Sequence, residues 1–248
     1  MNKIIKRILI GIVIIIAILA IVMGGFILKM KSEMKKMKVT ETKEIVHNVY
    51  AINDSFVNMF LVKDNDKYLA IDAGNDINVI NAELKKLNID TEKVSAVFLT
   101  HTDGDHVAAL TLFKNARVYL SKDEEQMING KTARMMKSHN KIDIKTYTLI
   151  GDQQTIIVGN LSIKGILTPG HTPGSMSYLI NNKYLFVGDA FGLKNGRMIK
   201  PNKLYTMDME TAVKSFDKIR NLPNAKFIFT AHTGFSNDYK HAVKNKLE

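Results

Sequence analysis

Residues 99–110, LTHTDGDHVAAL, place two histidines and two aspartates within six positions directly after an apolar run. These four residues are His101, Asp103, Asp105 and His106. Burying such a group of imidazoles and carboxylates together is costly unless a cation neutralises it. The preceding run, KVSAVFLT, indicates a buried strand, and DHVAALTLF indicates a helix that begins near Asp105. The stretch therefore predicts a metal-binding loop between a strand and a helix.

Three further segments place candidate ligands directly after strand-like runs. PGHTPGS contains His171, FVGDA contains Asp189, and TAHTG contains His232. Each alone is weak, because an aspartate or histidine at a turn is usually an ordinary turn or surface residue. Together with the opening stretch they are stronger, since four of the seven histidines of the chain lie in these four strand-end loops.

The rest of the body, from Ile45 onward, alternates short apolar runs with amphipathic stretches. EIVHNVYAI, FVNMFLV and KYLAID predict a meander of strands, and TIIVGNLSIKGIL and SMSYLINNKYLFVGD predict hairpins. Apolar spacing predicts helices over 76–88 and 207–220, KFIFT a last strand, and 238–248 a closing helix. Strands and helices in both halves predict two sheets packed face to face with helices outside.

The order and form of these segments resemble the metallo-β-lactamase superfamily over residues 45–248. The pattern of that family is H-x-H-x-D-H, then a histidine in a PGHTPGS-like turn, an aspartate in GD, and a final histidine after a strand. LTPGHTPGSMSYLI followed by LFVGDA is the most specific part of the match. The resemblance implies an α+β fold, a four-layer αβ/βα sandwich with a dinuclear metal site at one edge.

Carried over by position, the resemblance implies two divalent metal ions, zinc first among the candidates. One would be bound by His101, Asp103 and His171, and the other by Asp105, His106 and His232, with Asp189 bridging. Carboxylates between the two ions would offset their mutual repulsion. A hydroxide bound to both zinc ions, with its pKa lowered to roughly 7, would be the nucleophile. Asp105 would orient that hydroxide and is the candidate catalytic residue.

Position 103 departs from the family pattern, which usually has histidine there. One interpretation is a working site in which a carboxylate replaces an imidazole, since sites of two histidines and a carboxylate bind catalytic zinc. A second is that the harder oxygen ligand of Asp103 shifts the preference toward iron or manganese, as in the diiron flavoprotein branch. A third is a weakened first site that leaves a single-metal enzyme or a non-catalytic protein.

We expect a hydrolase that attacks an ester, thioester, lactone or amide bond of a small molecule. The alternatives are an iron-dependent oxidoreductase of the same fold and a non-catalytic, membrane-tethered binding module. The absence of cysteine excludes the β-lactamase branches that use a cysteine ligand, and Asp189 resembles the glyoxalase II and lactonase branches. Lys194, Arg197 and Lys200 follow Asp189 closely and are candidates to bind a substrate carboxylate, although a solvated basic loop explains them equally well.

The N-terminal segment predicts a membrane anchor. Residues 8–28 contain no charge, and a helix of that length matches the roughly 30 Å hydrocarbon core of a bilayer. A cleaved signal peptide is the rival interpretation, but VMGGFILKMK offers no good cleavage site. Residues 1–28 are then tail and transmembrane anchor, 29–44 a polar tether, and 45–248 the catalytic domain. Basic residues after the span favour a cytoplasmic body, whereas the short preceding tail favours a body outside the cytoplasm, which is our expectation.

The net charge of +11 belongs mostly to this N-terminal arm. Residues 1–38 contain eight Lys or Arg and one Glu, which leaves a nearly balanced body of 27 basic and 23 acidic residues. A nucleic-acid-binding body normally shows a clustered basic stripe. We therefore expect a small-molecule substrate and no nucleic acid partner.

Overall fold

The N-terminal unit is one long apolar helix. The computed structural model describes residues 2–134, 138–245 and 247, and the chain divides into two compact units, Met1–Met37 and Lys38–Glu248. Helix α1 (Lys3–Met34) begins with the Asn2 side chain accepting a hydrogen bond from the Ile4 backbone N–H, at 3.2 Å. It is long and apolar enough to cross a membrane, a property that it shares with signal sequences. The expected span 8–28 lies within it, and the helix continues into the segment expected to be a tether.

The second unit contains two large sheets. The first sheet has seven strands in sequence order: β1 (Lys43–Val46), β2 (Val49–Asp54), β3 (Val57–Asp64), β4 (Lys67–Ile71), β5 (Val94–Phe98), β6 (Arg117–Ser121) and β7 (Thr148–Ile150). Strands β1 to β4 form the predicted antiparallel meander, and β4 to β7 run parallel. The loops after β4, β5 and β6 therefore leave the sheet at one common edge.

The second sheet has six strands in the order β15-β14-β11-β10-β9-β8. Their bounds are β8 (Thr155–Val158), β9 (Leu161–Leu167), β10 (Met176–Ile180), β11 (Tyr184–Phe186), β14 (Phe227–Thr230) and β15 (Gly234–Ser236). The predicted hairpins are present, with left-handed backbone at Gly159 in the first turn and at Asn181 and Asn182 in the second. A small separate hairpin, β12 (Gly192–Lys194) and β13 (Arg197–Ile199), follows β11.

Three apolar clusters join these layers. The central cluster lies between the sheets and includes Phe60 and Phe98 from the first sheet and Tyr178 and Phe186 from the second. The outer face of the first sheet packs against helix α2 (Ile77–Lys86), and the outer face of the second packs against α5 (Met209–Ile219) and α6 (Tyr239–Val243). The predicted four-layer αβ/βα sandwich is confirmed.

Two predicted helices are shorter than expected. The segment after the opening motif forms α3 (Gly104–Val107) and then a separate 3-10 turn over Leu110–Leu112. Its backbone is diverted to the loop after β4, where Ala73 donates to the His106 carbonyl at 2.7 Å and Ala108 donates to the Gly74 carbonyl at 3.0 Å. Of the predicted closing helix 238–248, α6 forms the first part, and residues 246 and 248 lie outside the described residues, as does residue 1 of the predicted tail. One further short helix, α4 (Glu125–Ile128), was not predicted.

Candidate metal centre

The four loops with candidate ligands meet at one edge of the sandwich. The His101–His106 loop follows β5, His171 follows β9, Asp189 follows β11, and His232 follows β14. Strands β9, β11 and β14 run in the same direction within the second sheet. Their carboxyl ends therefore lie together, which is where α/β sheets commonly bind ligands. All seven predicted ligands lie in this cluster.

The first group of candidate ligands is His101, Asp103 and His171. Asp103 Oδ2 lies 3.4 Å from His101 Nε2 and 3.2 Å from His171 Nε2. Asp103 is the N-cap residue of α3, but its side chain makes no capping hydrogen bond. Its carboxylate therefore faces the two histidines, both of which are buried.

The second group is Asp105, His106 and His232. Asp105 Oδ2 lies 3.7 Å from His106 Nε2 and 3.5 Å from His232 Nε2. His106 is fully buried, whereas the Asp105 side chain keeps 22% of its surface exposed. The carboxylate of Asp105 thus reaches both the histidines and the open side of the cluster.

Asp189 lies between the two groups. Its Oδ1 lies 3.4 Å from His106 Nε2 and 3.1 Å from His232 Nε2, and its Oδ2 lies 3.5 Å from His171 Nε2. One carboxylate therefore faces histidines of both groups, which is the position that a bridging ligand requires.

The donor atoms suit a cation. Among the buried side chains that the structure describes, His101 Nε2, His106 Nε2 and Asp189 Oδ1 have no hydrogen-bond partner. Buried polar atoms without partners are rare and costly. Three carboxylates also face this space, and one guanidinium, that of Arg134, contacts one of them. Nitrogen and oxygen donors in this arrangement fit divalent zinc, with iron or manganese also compatible with the oxygen ligands.

The protonation states of three residues also suit metal binding. Burial opposes ionisation of Asp103, but the neighbouring His101 and His171 outweigh it and hold the pKa of that carboxyl well below its usual value. Burial likewise opposes ionisation of Asp189, and the three surrounding histidines hold its pKa well below the usual range. Burial lowers the pKa of His171, which keeps its imidazole neutral. Deprotonated carboxylates and neutral imidazoles are the forms that bind metal. Burial opposes protonation of His106 and His232, but the neighbouring carboxylates outweigh it and raise the pKa of both, so a metal ion would displace a proton there.

A second layer of residues orients the histidines. Asp72, directly after β4, lies 2.9 Å from His106 Nδ1 and accepts hydrogen bonds from the Thr100 backbone at 2.7 Å and hydroxyl at 2.8 Å. His232 Nδ1 lies 2.7 Å from the Phe56 carbonyl. These contacts fix which nitrogen of each ring faces the cluster. Sequence reasoning missed Asp72, although an aspartate that ends the apolar run KYLAI was a visible signal.

Glu124 connects the loop of His101 to the loop of His171 through hydrogen bonds. This carboxylate is fully buried. Its Oε1 accepts hydrogen bonds from the Thr102 backbone and hydroxyl at 2.9 and 2.7 Å, and its Oε2 accepts from the Thr172 hydroxyl at 2.5 Å. Thr102 and Thr172 each directly follow a candidate ligand histidine. Nothing in the sequence around Glu124 signals this role.

Arg134 is the third residue that sequence reasoning missed. Its Nε donates to Asp103 Oδ1 at 2.9 Å, and its Nη2 contacts Asp103 Oδ2. Asn140 also donates to Asp103 Oδ1, at 2.8 Å. The aspartate at the unusual position is therefore paired with a cation that no motif marks.

The candidate substrate-binding residues lie on the β12–β13 hairpin or directly after it and are not members of the two groups. Lys194 and Arg197 face each other across the β12–β13 hairpin, and both are exposed, as is Lys200. The hairpin is joined to the loop of His232 by the hydrogen bond from the Leu193 N–H to the Thr233 hydroxyl, at 2.7 Å. Their proposed contact with substrate stays a prediction.

A comparison with known protein families agrees with this fold. A family model described as the metallo-beta-lactamase superfamily matches residues 52–232, more than half of the chain. That match includes every one of the seven candidate ligands.

Curated relatives include several hydrolases. A probable metallo-hydrolase of Methanocaldococcus jannaschii is 33% identical over 159 residues, 63% of this chain and 66% of its own. A probable polyketide biosynthesis zinc-dependent hydrolase of Bacillus velezensis is 31% identical over 150 residues, covering 58% of this chain and 60% of its own. A hydroxyacylglutathione hydrolase of Bartonella tribocorum is 30% identical over 176 residues, covering 70% of this chain and 61% of its own. The chain thus spans less than two thirds of the length of each of these relatives.

Solved structures share the fold. A metallo-beta-lactamase family protein of Thermus thermophilus aligns with a TM-score of 0.61 and 18% identity over 81% of this chain and 78% of its own. A subclass B3 metallo-beta-lactamase of Bradyrhizobium japonicum aligns with a TM-score of 0.63 and 16% identity over 80% of each chain. At these identities the likeness establishes the fold and leaves the substrate open.

Proposed function

This chain belongs to the metallo-beta-lactamase superfamily, and on that premise we propose that it hydrolyses the ester, thioester, lactone or amide bond of a small molecule. The observation that carries the proposal is the convergence of seven candidate ligands from four loops, with buried donor atoms that have no partner among the described residues. Relatives named as metallo-hydrolases, zinc-dependent hydrolases and hydroxyacylglutathione hydrolases support a hydrolytic reaction.

The proposed centre holds two divalent ions. His101, Asp103 and His171 would hold the first, and Asp105, His106 and His232 the second, with Asp189 between them. Zinc is the favoured metal, because histidine-rich sites with carboxylates bind it well and a zinc-dependent hydrolase is among the relatives.

When bound, divalent ions supply a hydroxide nucleophile near neutral pH and polarise the oxygen of the bond under attack. The chain supplies orientation and charge. We assign Asp105 the catalytic role, since its Oδ2 faces both histidines of the second group and its side chain still reaches solvent. From this position the carboxylate can hold the hydrogen of an attacking water and set the direction of attack.

The hairpin beside the His232 loop suggests the substrate class that we propose. Lys194 and Arg197 project from an exposed hairpin joined to the His232 loop, where they would bind a carboxylate on the substrate. Charge reversal at Lys194 should raise KM for anionic substrates and leave KM for neutral esters unchanged. An equal effect on both substrate types would assign the hairpin to the solvated surface.

Asp105→Ala tests hydrolysis directly. The full chain, purified in detergent with zinc, manganese or iron, is assayed against thioester, lactone, ester and β-lactam probes. We expect hydrolysis of at least one probe and a loss of rate of at least about 100-fold in Asp105→Ala. Asp143→Asn, which changes an exposed aspartate that is not a candidate ligand, should retain full rate.

Other outcomes would support the alternatives. Oxygen or nitric oxide consumption by the iron-loaded protein without hydrolysis would support an oxidoreductase. Ligand binding that is unchanged in Asp105→Ala, with no turnover of any probe, would support a binding module.

A further inference from the structure

Arg134 reaches into the first group of ligands from outside the motifs. Its Nη2 lies 2.9 Å from His171 Nε2 and also contacts Asp103 Oδ2. Its Nη1 donates to the carbonyl oxygens of Tyr205, at 2.7 Å, and of His171, at 3.2 Å. The guanidinium is thus anchored on one side by carbonyls and on the other touches two atoms that face the first metal position.

The contact at His171 Nε2 excludes a metal bond at the same nitrogen. A neutral imidazole nitrogen that accepts a hydrogen bond has one lone pair, and a metal ion needs that same pair. Nη2 must therefore leave His171 Nε2 before a metal ion can bind there. The carbonyl anchor at Nη1 need not break for this to happen.

Charge adds to the competition. The guanidinium is permanently positive, and a divalent ion at the first group would lie next to it. Asp103 is shared in the same way, because Arg134 and Asn140 already donate to its Oδ1 while Nη2 contacts its Oδ2.

The second group is surrounded by acceptors instead. His106 Nδ1 lies against the Asp72 carboxylate, and His232 Nδ1 lies against the Phe56 carbonyl. Such partners make the opposite ring nitrogen a better metal ligand. The first group therefore has a guanidinium in direct contact with its ligand atoms, whereas the ring nitrogens on the far side of the second group face a carboxylate and a carbonyl.

We propose that Arg134 competes with metal for the His101–Asp103–His171 group, so that the two positions of the centre load in order. The Asp105–His106–His232 group binds first and tightly. The first group binds second and more weakly, because the guanidinium has to withdraw. This inference rests on the proposed metal centre and adds a resident competitor to it.

Metal titration of the full chain in detergent tests the order. Zinc is removed with a chelator and returned in the presence of a competing chromophoric chelator, which reports affinity and stoichiometry without any assay of activity. For the unaltered chain we expect two steps, the second weaker by about tenfold or more, as befits loss of a charged hydrogen bond. His171→Ala should remove the weak step and His232→Ala should weaken the strong one.

Arg134→Gln should bring the weak step closer to the strong one, whereas Arg134→Lys, which keeps the charge, should show an intermediate gap. Lys131→Gln removes a charge from the same segment and should leave both steps unchanged. The unfolding temperature of each variant shows whether it is folded. If Arg134→Gln does not fold, Arg134→Lys provides the test instead. Two binding steps of equal affinity in the unaltered chain would overturn the proposal. A second step that is weaker in Arg134→Gln than in the unaltered chain would also overturn it, because Arg134 would then position Asp103 as a ligand. Either result leaves the hydrolase proposal standing, whereas no metal binding at all would remove both.

Discussion

At the scale of single residues, Asp72 lies outside every motif but contacts a candidate metal ligand. It lies against His106 Nδ1, and its backbone is left-handed, with φ of 62°. Asparagine tolerates that conformation, so Asp72→Asn removes the charge with little backbone strain. We expect the zinc affinity of the centre to fall by about 10- to 100-fold, as for other partners of ligand histidines. Competition with a chromophoric chelator measures it.

Asp54→Asn is the matched control for this change. Asp54 is also fully buried, at the end of β2 in the same sheet, but it accepts hydrogen bonds from the backbone of Asn75 and Asp76 and not from a candidate ligand histidine. The zinc affinity of the Asp54→Asn variant should match that of the unaltered chain. Equal losses in both variants would mean that burial of a carboxylate, and not its contact with His106, sets the affinity.

The candidate ligands could be found from the sequence because each lies within a few residues of the end of an apolar run. Their convergence could be predicted, since the carboxyl ends of such strands share one edge. Arg134 and Glu124 could not be found in this way. They reach the centre from the segments after β6, and no local pattern distinguishes them from surface residues until the fold brings them there.

At the scale of elements, the close approach of two loops holds the His171 turn in place. A Cβ on Gly174 would overlap the backbone of Asp123 and Glu124, and neither backbone segment can yield as a side chain would. Gly174→Ala should therefore displace the turn that carries His171 and lower the free energy of unfolding by about 1–3 kcal/mol. For a domain of this size, each kcal/mol corresponds to a fall in the unfolding temperature of about 2–4 °C.

Gly104→Ala is the control within the opposite ligand loop. A Cβ on Gly104 meets nothing within 4 Å, so this variant should unfold at the temperature of the unaltered chain or above it. An unfolding temperature that Gly174→Ala leaves unchanged would show that the two loops do not depend on this approach.

Elements with clear turn chemistry or long periodicity were predicted correctly. The turns at Gly159 and at Asn181–Asn182 have the left-handed backbone that their residues favour. Strands β6, β7 and β15 and the hairpin of β12 and β13 were missed. All of these except the five-residue β6 have three residues, which show too little alternation to detect. The helix predicted after His106 was too long, because its backbone hydrogen bonds go to the loop after β4, a tertiary contact that periodicity does not reveal.

At the scale of the whole molecule, helix α1 concerns the association of the chain with a membrane. It is long and apolar enough to cross a bilayer, and we propose that it anchors the catalytic unit outside the cytoplasm. In bacterial cells that express the full chain, we expect membrane association that survives alkaline carbonate. We also expect that protease added to intact cells digests residues 45–248, provided that the protease can reach the outer face of the membrane that α1 spans.

Protease applied after permeabilisation is the control. A body that is protected in intact cells and digested only afterwards would reverse the proposed orientation. A soluble body of reduced mass would instead identify α1 as a cleaved signal sequence.

The most direct measurement of the central claim is anomalous X-ray diffraction at the zinc edge, from crystals of the protein grown with excess zinc. We expect two anomalous peaks, one bounded by His101, Asp103 and His171 and the other by Asp105, His106 and His232, with Asp189 contacting both. Clear density for all seven side chains with no anomalous peak among them would contradict the account.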